Sequence, residues 1–224
     1  MMQEYKQIAR DGSAEITIKG SRFICHLKRV NDEQDALQFI QHIKKEHRKA
    51  THNCSAYLIG ETDLIQRAHD DGEPSGTAGV PMLEVLKKQE LHYIAAVVTR
   101  YFGGTKLGAG GLIRAYSSSV SFALNQLGII RHTKQAIVHI TLEYAQVGKF
   151  DYFLTQHTYE LIHTHYTQHA TYVCGVLSQE LEQFIQTVQN LFNGKVQIEQ
   201  VDEKYVDLPL SHEPLNISDD LFND

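Results

Sequence analysis

The 224-residue chain carries 27 acidic and 21 basic side chains, a formal net charge of −6, which excludes a surface coated with base for blanket nucleic-acid binding. Seven of the acids (Asp202, Glu203, Asp207, Glu213, Asp219, Asp220, Asp224) and one base (Lys204) fall in residues 202–224, so residues 1–201 hold 20 of each sign. A 42% hydrophobic and 21% charged composition, three widely spaced cysteines (Cys25, Cys54, Cys174) and no apolar run near the ~20 residues that cross a bilayer point to a cytoplasmic globular protein with reduced thiols, neither secreted nor membrane-bound.

Residues 14–27 alternate as a hairpin, with Ile16 and Ile18 on one face, a Lys19-Gly20-Ser21 turn, then Phe23, Cys25 and Leu27. Asn31 is the expected N-cap of a helix whose first turn holds Asp32, Glu33 and Asp35 and whose last holds Lys44, Lys45, Arg48 and Lys49, in keeping with the helix dipole. Its residues Ala36, Leu37, Ile40 and Ile43 form one apolar stripe, which lays the helix on a sheet. Two short strands follow, 53–59 and 64–69, joined through Gly60. Beyond the polar loop 70–81, residues 82–88 read as a short helix and 93–102 as an Ala/Val strand buried on both faces in mid-sheet. The glycine-rich loop 103–111 then leads into a helix over 112–127 that stops at Gly128.

After Lys134 the pattern restarts with a strand (136–142), a helix (145–155), a strand pair (159–166 and 171–177), a helix (178–192), the Asn193-Gly194 turn and a last strand (196–201). Leu181, Phe184, Ile185, Val188 and Leu191 give the second helix a buried stripe. The order βαββαβ is the ferredoxin-like arrangement. The predicted organisation is therefore α+β, with a first domain over 1–132, a ferredoxin-like domain over 135–201 and an acidic, flexible tail over 202–224.

Eight of the fifteen glycines lie between Gly72 and Gly111, five of them (Gly103, Gly104, Gly108, Gly110, Gly111) within nine residues. Backbone without Cβ lets N–H groups converge on a bound group, and a helix N-terminus adds positive partial charge, so the segment is suited to hold an anion. Arg100, Lys106 and Arg114 flank it, and the 52 residues from Leu91 to Leu142 hold five bases and no acid. No Walker or G-x-G-x-x-G pattern aligns, and the same glycines equally suit tight turns and close helix-to-sheet packing.

The other loop, DDGEPSGTAGVP over residues 70–81, sets Asp70, Asp71 and Glu73 beside Ser75 and Thr77. The carboxylates suit either a hard cation such as magnesium or an ion pair with Arg100 or Lys106, and the pairing is the reading preferred here. Ser75 stands outside a G-x-S-x-G elbow, so no nucleophile is assigned. His157, His163, His165 and His169 crowd one hairpin and read as solvated surface, and no metal or cofactor is expected.

The blocks DDGEPSGTAGVP (70–81) and VVTRYFGGTKLGAGGLIRAY (97–116) closely resemble the Impact family, and the likeness extends over about residues 1–130. The second half is similar to the small ferredoxin-like domain of bacterial members. The resemblance implies a fold like domain 2 of ribosomal protein S5, a two-layer sandwich, and a link to translation; eukaryotic relatives regulate initiation under amino-acid starvation and carry an extra N-terminal interaction domain not found in this sequence. No catalytic activity is implied. The expected function is a non-enzymatic accessory factor of translation, binding RNA, the ribosome or a translation-related protein through Arg100, Gly103, Gly104, Lys106, Gly108, Gly110, Gly111 and Arg114, with Asp70, Asp71, Glu73, Ser75 and Thr77 in the partner loop. The alternative is a phosphoryl-handling or hydrolytic enzyme using magnesium and a nucleotide.

Overall fold

Strand alternation, one buried mid-sheet strand and amphipathic helices together dictate the first unit. The computed structural model describes residues 4–60 and 62–210; the expectation for residues 211–224, an acidic tail, lies outside the described residues. Contacts divide the chain into a unit of residues up to His132 together with those from Asp207, and a second unit, Thr133–Val206. The chain is a mixed α+β protein, and among the described residues no helix is long and apolar enough to cross a membrane.

In the first unit, β1 (Glu4–Ile8), which the sequence reading did not anticipate, precedes the expected hairpin of β2 (Gly12–Ile18) and β3 (Ser21–Arg29). Lys19 and Gly20, at φ 46° and 79°, give the left-handed turn whose twist suits a two-residue connection, and Ile16 pairs with Phe23. Helix α1 (Glu33–Glu46) is capped by Asp32, whose carboxylate accepts from the Asp35 amide at 2.8 Å, one residue later than the Asn31 cap expected. Arg48 and Lys49 lie beyond its end. Strands β4 (His52–Ile59), β5 (Ile65–His69) and β6 (Ile94–Tyr101) complete a sheet of order β2-β3-β6-β4-β5, antiparallel throughout. Strand β6 lies at its centre, buried from Ile94 to Arg100, as its uncharged Ala/Val run requires.

The period of two along these strands sorts the core into two faces. Tyr57, Ala95 and Val97 pack with Ala36, Ile40 and Ile43 of α1. Cys54, Ala56, Ala96 and Val98 pack instead with α2 (Gly79–Lys88) and α3 (Gly108–Leu127) through Met82, Leu86, Leu112, Tyr116 and Val120. Helices thus cover both faces, giving three layers where the resemblance implied a two-layer sandwich. Both later helices start earlier than expected: α2 at Gly79 within the polar loop, and α3 at Gly108 within the glycine-rich one.

The second unit is built from β7 (Ile129–Leu142), α4 (Val147–Thr155), β8 (Glu160–Tyr166), β9 (Ala170–Leu177), α5 (Leu181–Leu191) and β10 (Gln197–Pro209), with short 3-10 turns before α4 and α5. Strand order is β10-β7-β9-β8, and β1 pairs with β7, whose first residues belong to the first unit. Val138, Ile140, Tyr172, Cys174, Phe150 and Phe184 share one core. Strand β10 runs on through residues 202–209, where the acidic composition predicts a flexible tail. Its acids find bases: Glu203 accepts from Lys134 at 2.6 Å, and Asp207 from Arg29 at 2.9 Å.

Candidate functional site

Asp70 organises the loop that precedes α2. Its Oδ2 accepts from the Gly76 amide at 2.7 Å and its Oδ1 from those of Ala78 and Gly79 at 3.1 and 2.8 Å. Burial alone would raise this carboxyl, but the three amides outweigh it and hold it below the usual carboxylate value. Asp71 accepts from Lys44 at 2.6 Å and from the Asn53 amide at 2.7 Å. The Thr77 hydroxyl donates to the Pro74 carbonyl at 2.7 Å, and Ser75 is exposed.

Glu73 is the loop's buried member. Arg100 donates to its Oε1 at 2.6 Å and Tyr116 at 2.9 Å, with the Arg100 and Glu73 side chains 6% and 4% exposed. The pairing of a loop carboxylate with Arg100, preferred from the sequence, is the arrangement present, and the partner is Glu73. Burial pushes the Tyr116 hydroxyl far up, so it remains a donor at neutral pH. The same cause pushes the Cys54 thiol up to about 12, so this cysteine is no nucleophile; it donates instead to the Asp70 carbonyl at 2.9 Å. His52 Nδ1 lies 2.9 Å from the Asp71 carbonyl, which can only accept, so Nδ1 carries the proton and Nε2 lies 3.8 Å from Glu73 Oε2.

Between the two loops is a cleft of about 340 Å³ lined by Thr51, His52, Glu73, Pro74, Arg100, Phe102 and the stretch from Lys106 to Ala109, with Leu112. That volume falls in the range of small-molecule sites, roughly 300–1,000 Å³. Glu73, Arg100, Lys106 and Gly108 of the expected residues line it; Asp70, Asp71, Ser75, Thr77, Gly103, Gly104, Gly110, Gly111 and Arg114 do not. Phe102 and Leu112 line it without any expectation from the sequence, and so does His52, which stands near Cys54 in the sequence with no identifiable third partner. Phe102 borders the glycine run and could have been suspected, whereas His52 reaches the cleft only through strand pairing, opposite Arg100.

The glycines divide by role. At Gly103 a Cβ would collide with the Gly20 backbone, so this glycine serves a close approach of two turns. Gly108 opens α3 at φ 69°, a left-handed conformation that favours glycine, and Gly110 and Gly111 lie in the helix's first turn and not in the loop. That helix has Leu107 at its N-cap, no side-chain cap and no acid in its first turn, so its leading amides remain available. Among the five bases of the acid-free stretch, Arg100 pairs with Glu73, Arg131 with Glu4 at 3.4 Å and Lys134 with Glu203. Lys106 and Arg114 are exposed and carry no ion pair among the described residues. In the second unit the His163 and His165 rings lie 4.3 Å apart, yet no group of three or more metal-ligating side chains occurs among the described residues.

Residues 19–124 match the Impact N-terminal domain and residues 140–195 a domain of unknown function, DUF1949. The chain is similar to IMPACT family member YvyE of Bacillus subtilis, 50% identical over 95% of this chain and 98% of that protein. It is also similar to IMPACT family member YigZ of Escherichia coli, 34% identical over 83% and 92% of the two chains. A crystal structure titled only as that of a hypothetical protein aligns at TM-score 0.57 and 31% identity, covering 90% of this chain and 99% of that one. Both domains matched in sequence, with relatives 50% and 34% identical over most of their length, make the chain a member of the IMPACT family.

Proposed function

We propose that this protein is a non-enzymatic, cytoplasmic accessory factor of translation that holds RNA phosphate at the cleft between its two glycine-rich loops. The observation that carries this reading is the start of α3: an uncapped 20-residue helix opens on the cleft with exposed, unpaired Lys106 beside its first turn. Such a terminus presents the equivalent of about half a positive charge together with free amide donors. Membership of the IMPACT family supports the translation setting, in which the RNA belongs to the ribosome or a translation-factor complex. The strand order and βαββαβ sequence of the second unit support a ferredoxin-like fold there, and the antiparallel sheet with α2 and α3 on one face supports a likeness of the first to domain 2 of ribosomal protein S5, to which α1 adds a third layer.

Magnesium-assisted phosphoryl chemistry has weaker support. Asp70 is held by three amides, Asp71 by Lys44 and Asn53, and Glu73 by Arg100 and Tyr116, so a cation would have to displace those partners. The test is binding of a fluorescein-labelled 12-nucleotide single-stranded RNA to wild type and Lys106→Ala at several salt concentrations. Wild-type affinity should fall as salt rises, and the substitution should weaken binding several-fold at low salt. Equal, salt-insensitive affinities would overturn the proposal.

A further inference from the structure

We infer that the cleft takes one unpaired nucleotide of a single-stranded RNA, its base against Phe102 and its phosphate on the first-turn amides of α3 beside Lys106. This rests on the RNA-binding reading above and narrows it to a class of ligand. A phosphate alone would need little more than the helix terminus and Lys106. The cleft beside them is walled mainly by apolar groups, Pro74, Phe102, Leu107, Ala109 and Leu112, which offer an anion nothing and a flat ring a surface.

Phe102 is 48% exposed, a large unspent aromatic area at the edge of a site. The Arg100 guanidinium lies 5.6 Å from its ring centroid and 5.4 Å from that of Phe23. The Phe102 ring is thus braced by a cation that Glu73 holds in place, and it remains open to a stacking partner. Arg100 lines the cleft with its side chain 6% exposed, and its guanidinium donates to Glu73 Oε1 at 2.6 Å and to Ser21 Oγ at 3.4 Å, so the wall that backs Phe102 is fixed before any ligand enters. A base already paired in a duplex presents neither a free face nor a free edge, so the site selects unpaired strands.

The test compares fluorescein-labelled 12-nucleotide oligo(A) with a 12-base-pair RNA duplex by fluorescence anisotropy, using wild type, Phe102→Ala, Phe102→Tyr and Lys106→Ala of the full chain. Wild type should prefer oligo(A) to the duplex by tenfold or more. Phe102→Ala should lose about tenfold in oligo(A) affinity with its salt dependence unchanged, in line with one stacked base, while Phe102→Tyr should bind as wild type does. An unchanged far-ultraviolet circular dichroism spectrum and melting temperature separate lost stacking from lost fold. Equal binding of duplex and oligo(A), or a Phe102→Ala variant indistinguishable from wild type, overturns the inference; if Lys106→Ala still weakens binding in that case, the RNA reading survives without it. Absence of binding to either probe overturns both.

Discussion

Gly110 sits in the first turn of α3 with ordinary backbone dihedrals and nothing within 4 Å of where a Cβ would stand. The fold gains nothing from glycine there, and a helix disfavours it against alanine by about 0.5–1 kcal/mol. Gly110→Ala should therefore raise the free energy of unfolding by up to about that amount, while weakening RNA binding if a phosphate approaches the backbone closely. Chemical denaturation and the anisotropy titration read the two effects separately. Gly103→Ala should do the reverse of the first, because its methyl would enter the Gly20 backbone. In sequence these two glycines looked alike. What distinguishes them is a contact with a residue more than 80 positions away, which local spacing does not contain. Glu73 and Arg100 show the same limit: the sequence supplied an acid and a base to pair, and strand β6 decided which acid.

The elements were more legible than their ends. Alternation in residues 14–27, the apolar stripe of α1 and the Ala/Val run of β6 each follow from a single periodicity, and each appears in place. Helices α2 and α3 begin three and four residues early because glycine, the strongest loop signal in sequence, here occupies helix starts. For α2 the reason is Asp70, which lies nine residues before Gly79 yet accepts the amides of both Ala78 and Gly79. It acts as the missing N-cap, since Ala78 has no side chain to do so. Asp70→Asn would keep the shape but lose charge and accepting capacity, and should destabilise the protein by about 1–3 kcal/mol at pH 7. The pH dependence has a definite sign. Because the folded carboxyl is held below the unfolded value of 3.8, its contribution is complete above that pH and disappears as pH falls through the lower folded value. Wild type and Asp70→Asn should thus converge in stability at strongly acid pH, and a gap that persisted there would point to lost shape rather than lost charge.

Across the whole molecule, charge placement decides more than the net figure of −6. The acid-free stretch with five bases reads in sequence as a local positive field around the glycine-rich loop, but three of the five are neutralised by acids distant in sequence: Arg100 by Glu73, Arg131 by Glu4 and Lys134 by Glu203. Only tertiary structure could reveal this, because each partner lies on another element. What remains near the start of α3 is Lys106 and Arg114, about 9 Å of helix rise from Gly108 to Arg114, and the helix terminus itself. A binder with two such cations should release few counterions. For single-stranded RNA at about −0.7 per neutralised phosphate, the plot of log affinity against log salt should have a slope of about −1.4, and Lys106→Ala should reduce it by about 0.7. A slope of −4 or steeper would mean that RNA engages a much wider basic surface than these two side chains provide. It would move the interface away from the cleft even if the affinity itself were high.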